Sequence, residues 1–219
     1  MKHIFFITTG LGVGGAEVVL LNLLKELDRS RFQPYVVSLT GYGPLSDRIL
    51  DLGIPLYYHD VRQRPLRAFF GLVKQLWRMR PDVVQTWMYH ADLIGSLASR
   101  AAGLKTIVWS LHNLELSSSA RTTDIVRKVC ARLSGRIPRL ILSCSEASAA
   151  YHVDIGYRAD RIRVIPNGFD VELFQPDPGA RSSVRGALNL EPGMDVVLHV
   201  GRFDPLKNHA GFLRAAAMV

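Results

Sequence analysis

A glycine-rich turn near the start of the 219-residue sequence has the residue types of an anion-binding site. It runs from Thr9 to Glu17, reads T-G-L-G-V-G-G-A-E, and joins a predicted strand to a predicted helix. Glycines let backbone N–H groups approach an anion closely, and the N-terminus of a helix adds positive potential. Glu17 either stabilises the helix dipole as a first-turn carboxylate or points at a substrate.

Three glycines of this turn, Gly10, Gly12 and Gly15, match the dinucleotide pattern G-x-G-x-x-G. That pattern also requires an acidic residue near the end of the second strand, where it holds a ribose hydroxyl. The second predicted strand ends in S-L-T-G at 38–41 and offers no carboxylate. An NAD(P)-dependent Rossmann oxidoreductase is therefore disfavoured. A phosphate-binding turn and a tight turn without a ligand both remain open.

Short apolar strands alternate with amphipathic helices along the first three quarters of the chain. Strands are predicted at 3–8, 34–40, 54–59, 82–87, 106–111, 139–143 and 163–165, and helices at 15–27, 44–52, 66–79, 90–102, 123–133 and 146–153. This alternation predicts an α/β fold, a Rossmann-like parallel sheet with helices on both faces. Ligands bind such sheets beyond the carboxyl ends of the strands. The loops to inspect are 9–15, 87–90, 111–119 and 143–146.

The composition changes after Phe174, where Q-P-D-P-G is typical of a linker. A new strand is predicted at 195–201, and a new helix opens near Asn208. We therefore expect a domain over 1–174, a linker with a connecting helix over 175–194, and the first strand and helix of a second domain over 195–219. One strand and one helix cannot form a core, so we expect a truncated second domain.

The net charge of +8 comes entirely from residues 62–139, which carry 14 basic and 4 acidic side chains. Such a block predicts an anionic partner or surface, although a solvated face of an arginine-rich protein remains an alternative. Within it, the helix at 66–79 has six apolar residues on one face and three basic ones opposite: Leu66, Phe69, Phe70, Val73, Leu76 and Trp77, against Arg67, Lys74 and Arg78.

We predict that residues 62–139 meet an anionic membrane surface; the alternative is an ordinary surface helix docked on the sheet. A nucleic-acid-binding domain is disfavoured, because no recognition module with interleaved aromatic residues is evident. The uncharged stretch 4–16 is too short to span a bilayer. Two cysteines supply neither a disulfide framework nor a zinc site. We expect a cytoplasmic protein, peripheral on the inner face of the cell membrane.

Several stretches, in the right order, resemble GT-B glycosyltransferases of the large retaining group called family 4. They are G-V-G-G-A-E at 12–17, P-D-V-V and Y-H-A-D within 81–92, W-S-L-H-N at 109–113, S-C-S-E at 143–146 with I-P-N-G-F-D at 165–170, and V-G-R-F-D-P-L-K-N at 200–208. The resemblance implies the N-terminal domain of a GT-B two-domain enzyme, with the acceptor on this domain and the nucleotide-sugar donor mostly on the other.

The implied reaction transfers a sugar from a nucleotide-diphosphate sugar to a glycan or a lipid-linked acceptor, in the synthesis of cell-surface polysaccharide, lipopolysaccharide or glycolipid. In the retaining mechanism usual for this family, the leaving phosphate accepts the acceptor's proton, so no carboxylate base is required. The nucleotide sugar is a substrate, and we expect no cofactor and no metal ion.

By this resemblance, Gly14 and Gly15 approach the donor, and Arg202 and Lys207 neutralise its diphosphate. His112, the catalytic candidate, hydrogen-bonds the donor sugar near the reacting carbon.

Four residues are the acceptor-binding candidates: Glu17, Trp87, His90 and Asn113. The sequence departs from many members at 85–88, where Q-T-W-M lacks a histidine. The family's paired glutamates, which hold the donor, would lie beyond residue 219. We therefore expect this chain alone to fold without transferring sugar.

Overall fold

The computed structural model describes residues 1–112, 121–191 and 193–218. The chain divides into two compact units, Met1–Asn167 and Gly168–Val219. Among the described residues, no helix has both the length and the apolar character needed to cross a membrane. The three-part division at 174 and 194 stays a prediction.

The first unit is a seven-stranded sheet in which every strand pairs in parallel, in the order β3-β2-β1-β4-β5-β6-β7. The strands are β1 Lys2–Thr8, β2 Phe32–Ser38, β3 Leu56–Tyr58, β4 Val83–Trp87, β5 Ile107–Leu111, β6 Leu140–Ser143 and β7 Ile162–Val164. The connecting helices are α1 Gly15–Glu26, α2 Ser46–Asp51, α3 Pro65–Met79, α4 Tyr89–Ala101, α5 Arg121–Leu133 and α6 Glu146–Asp154. The predicted α/β, Rossmann-like fold is confirmed.

The two faces of the sheet carry separate cores because side chains alternate along each strand. On β1, Phe5 and Ile7 pack into a cluster that contains Leu72 of α3. Phe6, between them, packs into another cluster with Leu20 of α1. Central parallel strands are buried on both faces, and the apolar run of β1 therefore has no alternation of polar residues.

The switch point of this topology lies between β1 and β4. The chain moves outward from β1 through β2 to β3, then returns to β4 on the other side of β1. In open parallel sheets, ligands bind in the crevice beyond the carboxyl ends of the strands at such a point. The glycine-rich turn and the start of α4 border this crevice.

The turn from β4 into α4 is a strained elbow. Its one residue, Met88, has φ 75° and ψ 155°, a conformation that is essentially restricted to glycine and costs of order 1–3 kcal/mol. Two backbone hydrogen bonds hold it: Met88 N–H donates to the Ser110 carbonyl at 3.2 Å, and Asp92 N–H donates to the Met88 carbonyl at 2.8 Å. The elbow therefore depends on β5 and on the first turn of α4.

A fully buried carboxyl, Asp92, supports this elbow from below. The Thr86 hydroxyl lies 2.5 Å from Asp92 Oδ1 and 3.3 Å from the Val108 carbonyl. The Thr86 hydroxyl donates to Asp92 Oδ1, and its contact with the Val108 carbonyl is the longer of the two. Burial raises the pKa of Asp92 well above its usual value, although hydrogen bonds from the Thr86 hydroxyl and the Ser110 backbone oppose this shift. The buried carboxyl thus ties α4 to β4 and β5.

The second unit, described by itself, contains α7 Ala180–Ala187 and α8 His209–Ala216. Its described part contains no strand, so the strand predicted at 195–201 is not formed there. The physical reason is that a strand requires a hydrogen-bonded neighbour, and the apolar side chains of this segment are exposed instead. The helix expected near Asn208 is present, with the Asn208 side chain accepting from Gly211 N–H at 3.2 Å.

The raised pKa of Asp92 predicts how the free energy of unfolding changes with pH. A carboxyl with a raised native pKa keeps a proton that the unfolded chain releases above about pH 4, so its contribution falls by about 1.4 kcal/mol per pH unit until it ionises. The Asp92→Asn variant lacks this loss. Urea unfolding at pH 5 and pH 8 should show the variant gaining on the wild type as pH rises. Asp51→Asn, on exposed α2, is the control, and equal pH slopes for wild type and Asp92→Asn would contradict the assignment.

Candidate functional site

The glycine-rich turn delivers the start of α1 to the carboxyl edge of the sheet. Gly14 is the N-cap of α1 and has an extended backbone. A side chain on Gly14 would overlap the Glu17 carboxylate, whereas the space at Gly15 is open. Glycine at 14 thus leaves room for the Glu17 carboxylate beside it, and its backbone angles are ones that any residue adopts. The exposed backbone at Gly15 is free to approach a ligand.

Glu17 folds back over the helix start. It is the acidic residue of the first turn, and its carboxylate lies against the N-cap. A carboxylate in this position offsets the positive end of the helix dipole. The geometry agrees with the dipole interpretation of Glu17, while its acceptor-binding role stays a prediction.

Trp87 joins three elements at the switch point. Its indole N–H donates to the Ala16 carbonyl in the first turn of α1 at 2.9 Å. Its ring stacks on the His112 imidazole, with centroids 4.7 Å apart and planes inclined by 19°, and meets Phe6 edge-on. Only 3% of Trp87 is exposed. The residue is therefore part of the core, and in the same position it links the glycine-rich turn to β5.

His112 follows β5 directly and is half-buried. Both ring nitrogens are shielded from solvent, and neither has a hydrogen-bond partner among the described residues. Burial lowers the pKa of His112 to about 4. Near neutral pH the ring is uncharged and has one N–H donor and one acceptor, neither of which meets a partner in the described part of the chain. A buried polar group without a partner costs about 1–3 kcal/mol.

A second buried histidine, His152, shows the contrast. Its Nδ1–H donates to the Ser148 carbonyl at 2.6 Å, and its Nε2 accepts from the Tyr89 hydroxyl at 2.8 Å. Both nitrogens are satisfied, and the pair anchors α4 to α6. Both nitrogens of His152 are thus used within the fold, whereas those of His112 have no partner among the described residues, and the catalytic role of His112 stays a prediction.

His90 lies in the first turn of α4, close to the elbow at Met88. It is half-buried, and its pKa is lowered by burial first and by the charge of Arg62 second. The environment of this acceptor candidate is therefore cationic. Asn113, the other acceptor candidate beside His112, lies outside the described residues.

The two donor candidates of the second unit lie in one compact turn. Arg202 and Lys207 are both exposed. The Lys207 side chain runs along Gly201, where an added Cβ would lie 3.3 Å from Lys207 Cγ. The Arg202 carbonyl accepts from the His209 ring at 2.6 Å. The turn presents both cations to solvent, and their donor role stays a prediction.

Sequence reasoning assigned no role to Asp92, Thr86 or Met88, although Asp92 belongs to one of the motifs that carry the resemblance. A buried carboxyl six residues after a strand threonine is not distinguishable from a surface acid in the sequence alone. The signal that existed was Thr86, which with Gln85 forms a polar pair inside the strand β4.

Two curated relatives and one solved structure show what this chain resembles. A UDP-Gal:α-D-GlcNAc-diphosphoundecaprenol α-1,3-galactosyltransferase of Escherichia coli is 27% identical over 94% of the chain and 55% of its own length. A D-inositol 3-phosphate glycosyltransferase of Rhodococcus erythropolis is 41% identical over 68% of the chain and 35% of its own length. The crystal structure of Anabaena HepE with UDP-glucose matches all of the chain and 58% of HepE, at 24% identity and a TM-score of 0.81. That likeness shows the fold.

The burial of the His112 ring predicts that it takes up a proton only at low pH. We expect the ring C–H signals in an NMR pH series of the chain to remain constant from pH 8 to about pH 5 and to shift with a midpoint about 4, because burial penalises the charged ring. The signals missing from the His112→Gln spectrum identify the residue. A midpoint at the ordinary histidine value of about 6.5 would contradict the assignment.

The chain spans less than two thirds of the length of these relatives. The model of Glycosyltransferase Family 4 matches residues 13–173, from within the glycine-rich turn to the end of the predicted first domain. The matched region contains the second half of the turn, the elbow, Trp87 and His112. The family expected from the motifs is thereby confirmed, and the chain belongs to glycosyltransferase family 4.

Proposed function

We propose that this chain forms the acceptor side of a retaining glycosyltransferase of the hexosyltransferase type. The enzyme transfers a sugar from a nucleotide-diphosphate sugar to a glycan or lipid-linked acceptor in the synthesis of cell-surface polysaccharide, lipopolysaccharide or glycolipid. The observation that carries the proposal is the convergence of the glycine-rich turn, Trp87 and the unpaired His112 at the switch point. The names of the E. coli relative and of the HepE complex support a lipid-linked acceptor and a nucleotide-sugar donor.

The chemistry of the leaving group explains the residue types. A nucleoside diphosphate gains negative charge as the glycosidic bond breaks, and preorganised donors stabilise that charge. Backbone N–H groups at Gly14 and Gly15, with the charges of Arg202 and Lys207, supply such donors. Arginine offers a planar fork for phosphate and lysine a compact charge. The proposal requires no cofactor and no metal ion.

His112 acts in this proposal as a neutral hydrogen-bonding group. Its low pKa makes it a poor base near neutral pH, and a hydrogen bond to a sugar hydroxyl near the reacting carbon uses its free nitrogen. In same-face attack, the proton of the acceptor hydroxyl moves to the departing phosphate. The buried carboxyl of Asp92 belongs to the elbow, so it does not serve as a base.

Replacing His112 tests this role. In the protein as its natural reading frame encodes it, His112→Ala should lower kcat about 100-fold, comparable to the loss of one transition-state hydrogen bond. His3→Ala is the control, because His3 lies at the amino end of β1, the opposite edge of the sheet. Transfer is measured with labelled nucleotide sugars, and NMR of the product reports the anomeric configuration. Equal rates for the two variants, or an inverted anomer, would contradict the proposal.

We also propose that residues 62–139 bring the domain to the cytoplasmic face of a membrane and are not a nucleic-acid surface. The structure changes the basis of this prediction. The docked face of α3 overlaps the predicted apolar face only in part: Ala68, Leu72 and Leu76 are buried, and Phe69 and Val73 pack against the same core. Leu66, Phe70 and Trp77 are 74%, 65% and 57% exposed.

The outer stripe of α3 therefore alternates apolar and basic side chains. Residues 66, 70, 74 and 77 follow one another at helical spacing, with Lys74 between the aromatic residues. Arg80 lies over the Trp77 ring at 5.9 Å. No acidic residue occurs from Val61 to Pro81. Exposed aromatic residues among basic ones are typical of a helix that lies in the headgroup region of anionic lipids.

Vesicle sedimentation tests this surface. At low salt the protein should sediment with anionic vesicles and remain in solution with neutral ones. The Lys74→Gln, Arg78→Gln double variant should bind anionic vesicles about 30-fold less tightly, since each charge contributes roughly 1 kcal/mol. Lys25→Gln with Arg48→Gln, on exposed α1 and α2 positions, removes the same charge and should have little effect. Equal sedimentation with both kinds of vesicle, or a salt-sensitive shift of any duplex DNA, would contradict the proposal.

A further inference from the structure

A cavity of about 420 Å³ lies between the carboxyl end of β3 and the start of α3. Its walls include Tyr58, His59, Asp60, Arg64 and Arg67. It is separate from the contacts of Trp87 and His112, and neither the resemblance nor the predicted site residues assign it a role. Four of its five named side chains carry hydrogen-bond donors.

The wall formed by His59 is built with defined geometry. An added Cβ on Gly71 would lie 3.1 Å from the His59 ring, so glycine lets the imidazole lie flat against α3. The His59 Nε2 is 2.7 Å from Gln75 Oε1, and since an amide oxygen only accepts, Nε2–H is the donor. The ring is thus fixed from two sides.

The lining of the cavity has a net positive charge, from Arg64 and Arg67 against Asp60. Arg64 is the N-cap of α3 and Arg67 lies in its first turn; neither guanidinium forms an ion pair or hydrogen bond among the described residues. The first turn contains no acidic residue and no side-chain cap. The one lining acid, Asp60, already accepts the N–H groups of Arg62 and Gln63 at 2.9 and 3.2 Å.

The cavity lies on the acceptor side of the domain. It opens at the same carboxyl edge of the sheet as the elbow, and the charge of Arg62, in the same loop, reaches His90. Two unpaired guanidinium groups with a phenol and an imidazole match the oxygens of a phosphate group, for which arginine offers a planar fork.

We infer that this cavity binds a phosphate or diphosphate group of the acceptor, with Arg64 and Arg67 as its principal ligands. The inference rests on the proposed function in one respect, that this domain binds the acceptor. The phosphate belongs either to a soluble phosphorylated sugar or to a lipid.

Titration calorimetry with inorganic pyrophosphate tests the site in the absence of any nucleotide. The Arg64→Gln, Arg67→Gln double variant should bind pyrophosphate at least tenfold more weakly than the wild type. The Lys74→Gln, Arg78→Gln variant has the same net charge, with both changes at exposed positions of the same helix outside the cavity lining, and should change binding less than twofold. Equal weakening in the two variants would overturn the site, because a general surface potential would explain it.

Two further measurements separate this inference from the proposed function and identify the source of the phosphate. If wild type transfers sugar and Arg64→Gln, Arg67→Gln leaves the KM for the acceptor unchanged, the site is overturned while the enzyme stands. If pyrophosphate binding follows the pattern above without any transfer, the site stands while the enzyme fails. Glycerol phosphate and phosphatidylglycerol vesicles then distinguish the source. Weakening toward either that exceeds the weakening in Lys74→Gln, Arg78→Gln supports the site and names its ligand, and no such excess toward either overturns it.

Discussion

The contact of the Trp87 indole with Ala16 and His112 is the interaction on which the proposed site depends. The ring is rigid, buried and bound at both ends, by a hydrogen bond of 2.9 Å to α1 and by stacking on the imidazole. Parallel strands align the ends of β1, β4 and β5, and the Trp87 side chain links the loops beyond them. It fixes the glycine-rich turn relative to His112, whose ring nitrogens have no hydrogen-bond partner among the described residues.

The elbow between β4 and α4, next to this contact, contains two energetically unfavourable features. Met88 adopts a backbone conformation that disfavours a side chain, and a carboxyl is buried at Asp92. Local strain of this kind persists where the surrounding structure determines it and is concentrated at functional sites. Here the strands β4 and β5 and the first turn of α4 hold the Met88 conformation. The central strands of the sheet therefore determine the position of Trp87.

Much of the fold follows from the sequence because its periodicities are clear. The strands β1 and β4 and the helices α3 and α6 begin and end within one or two residues of their predicted bounds, since Pro and Gly mark their limits or capping residues begin them. Three features did not follow. The docking rotation of α3 depends on neighbouring α4, the cavity beside Arg64 depends on the fixed ring of His59, and the unpaired nitrogens of His112 depend on packing. All three are tertiary properties. The segment 195–201 has strand-like composition without a partner strand.

The surfaces of the domain have distinct chemistry. The switch point offers an uncharged hydrogen-bonding ring, the β3–α3 cavity offers fixed positive charge, and the outer stripe of α3 offers aromatic and basic groups together. The lipid-linked, phosphorylated acceptor that we propose offers a partner to each of these surfaces, and the cationic excess within 62–139 agrees with this proposal.

We propose that Trp87 and His112 act together in sugar transfer. A double-mutant cycle on kcat/KM with Trp87→Phe and His112→Ala measures their coupling directly. We predict that kcat/KM of the double variant falls far less than the product of the two single-variant factors. Trp87 acts mainly by holding the His112 ring, so its replacement has little further effect once His112 is absent. Single losses that simply multiply would contradict it.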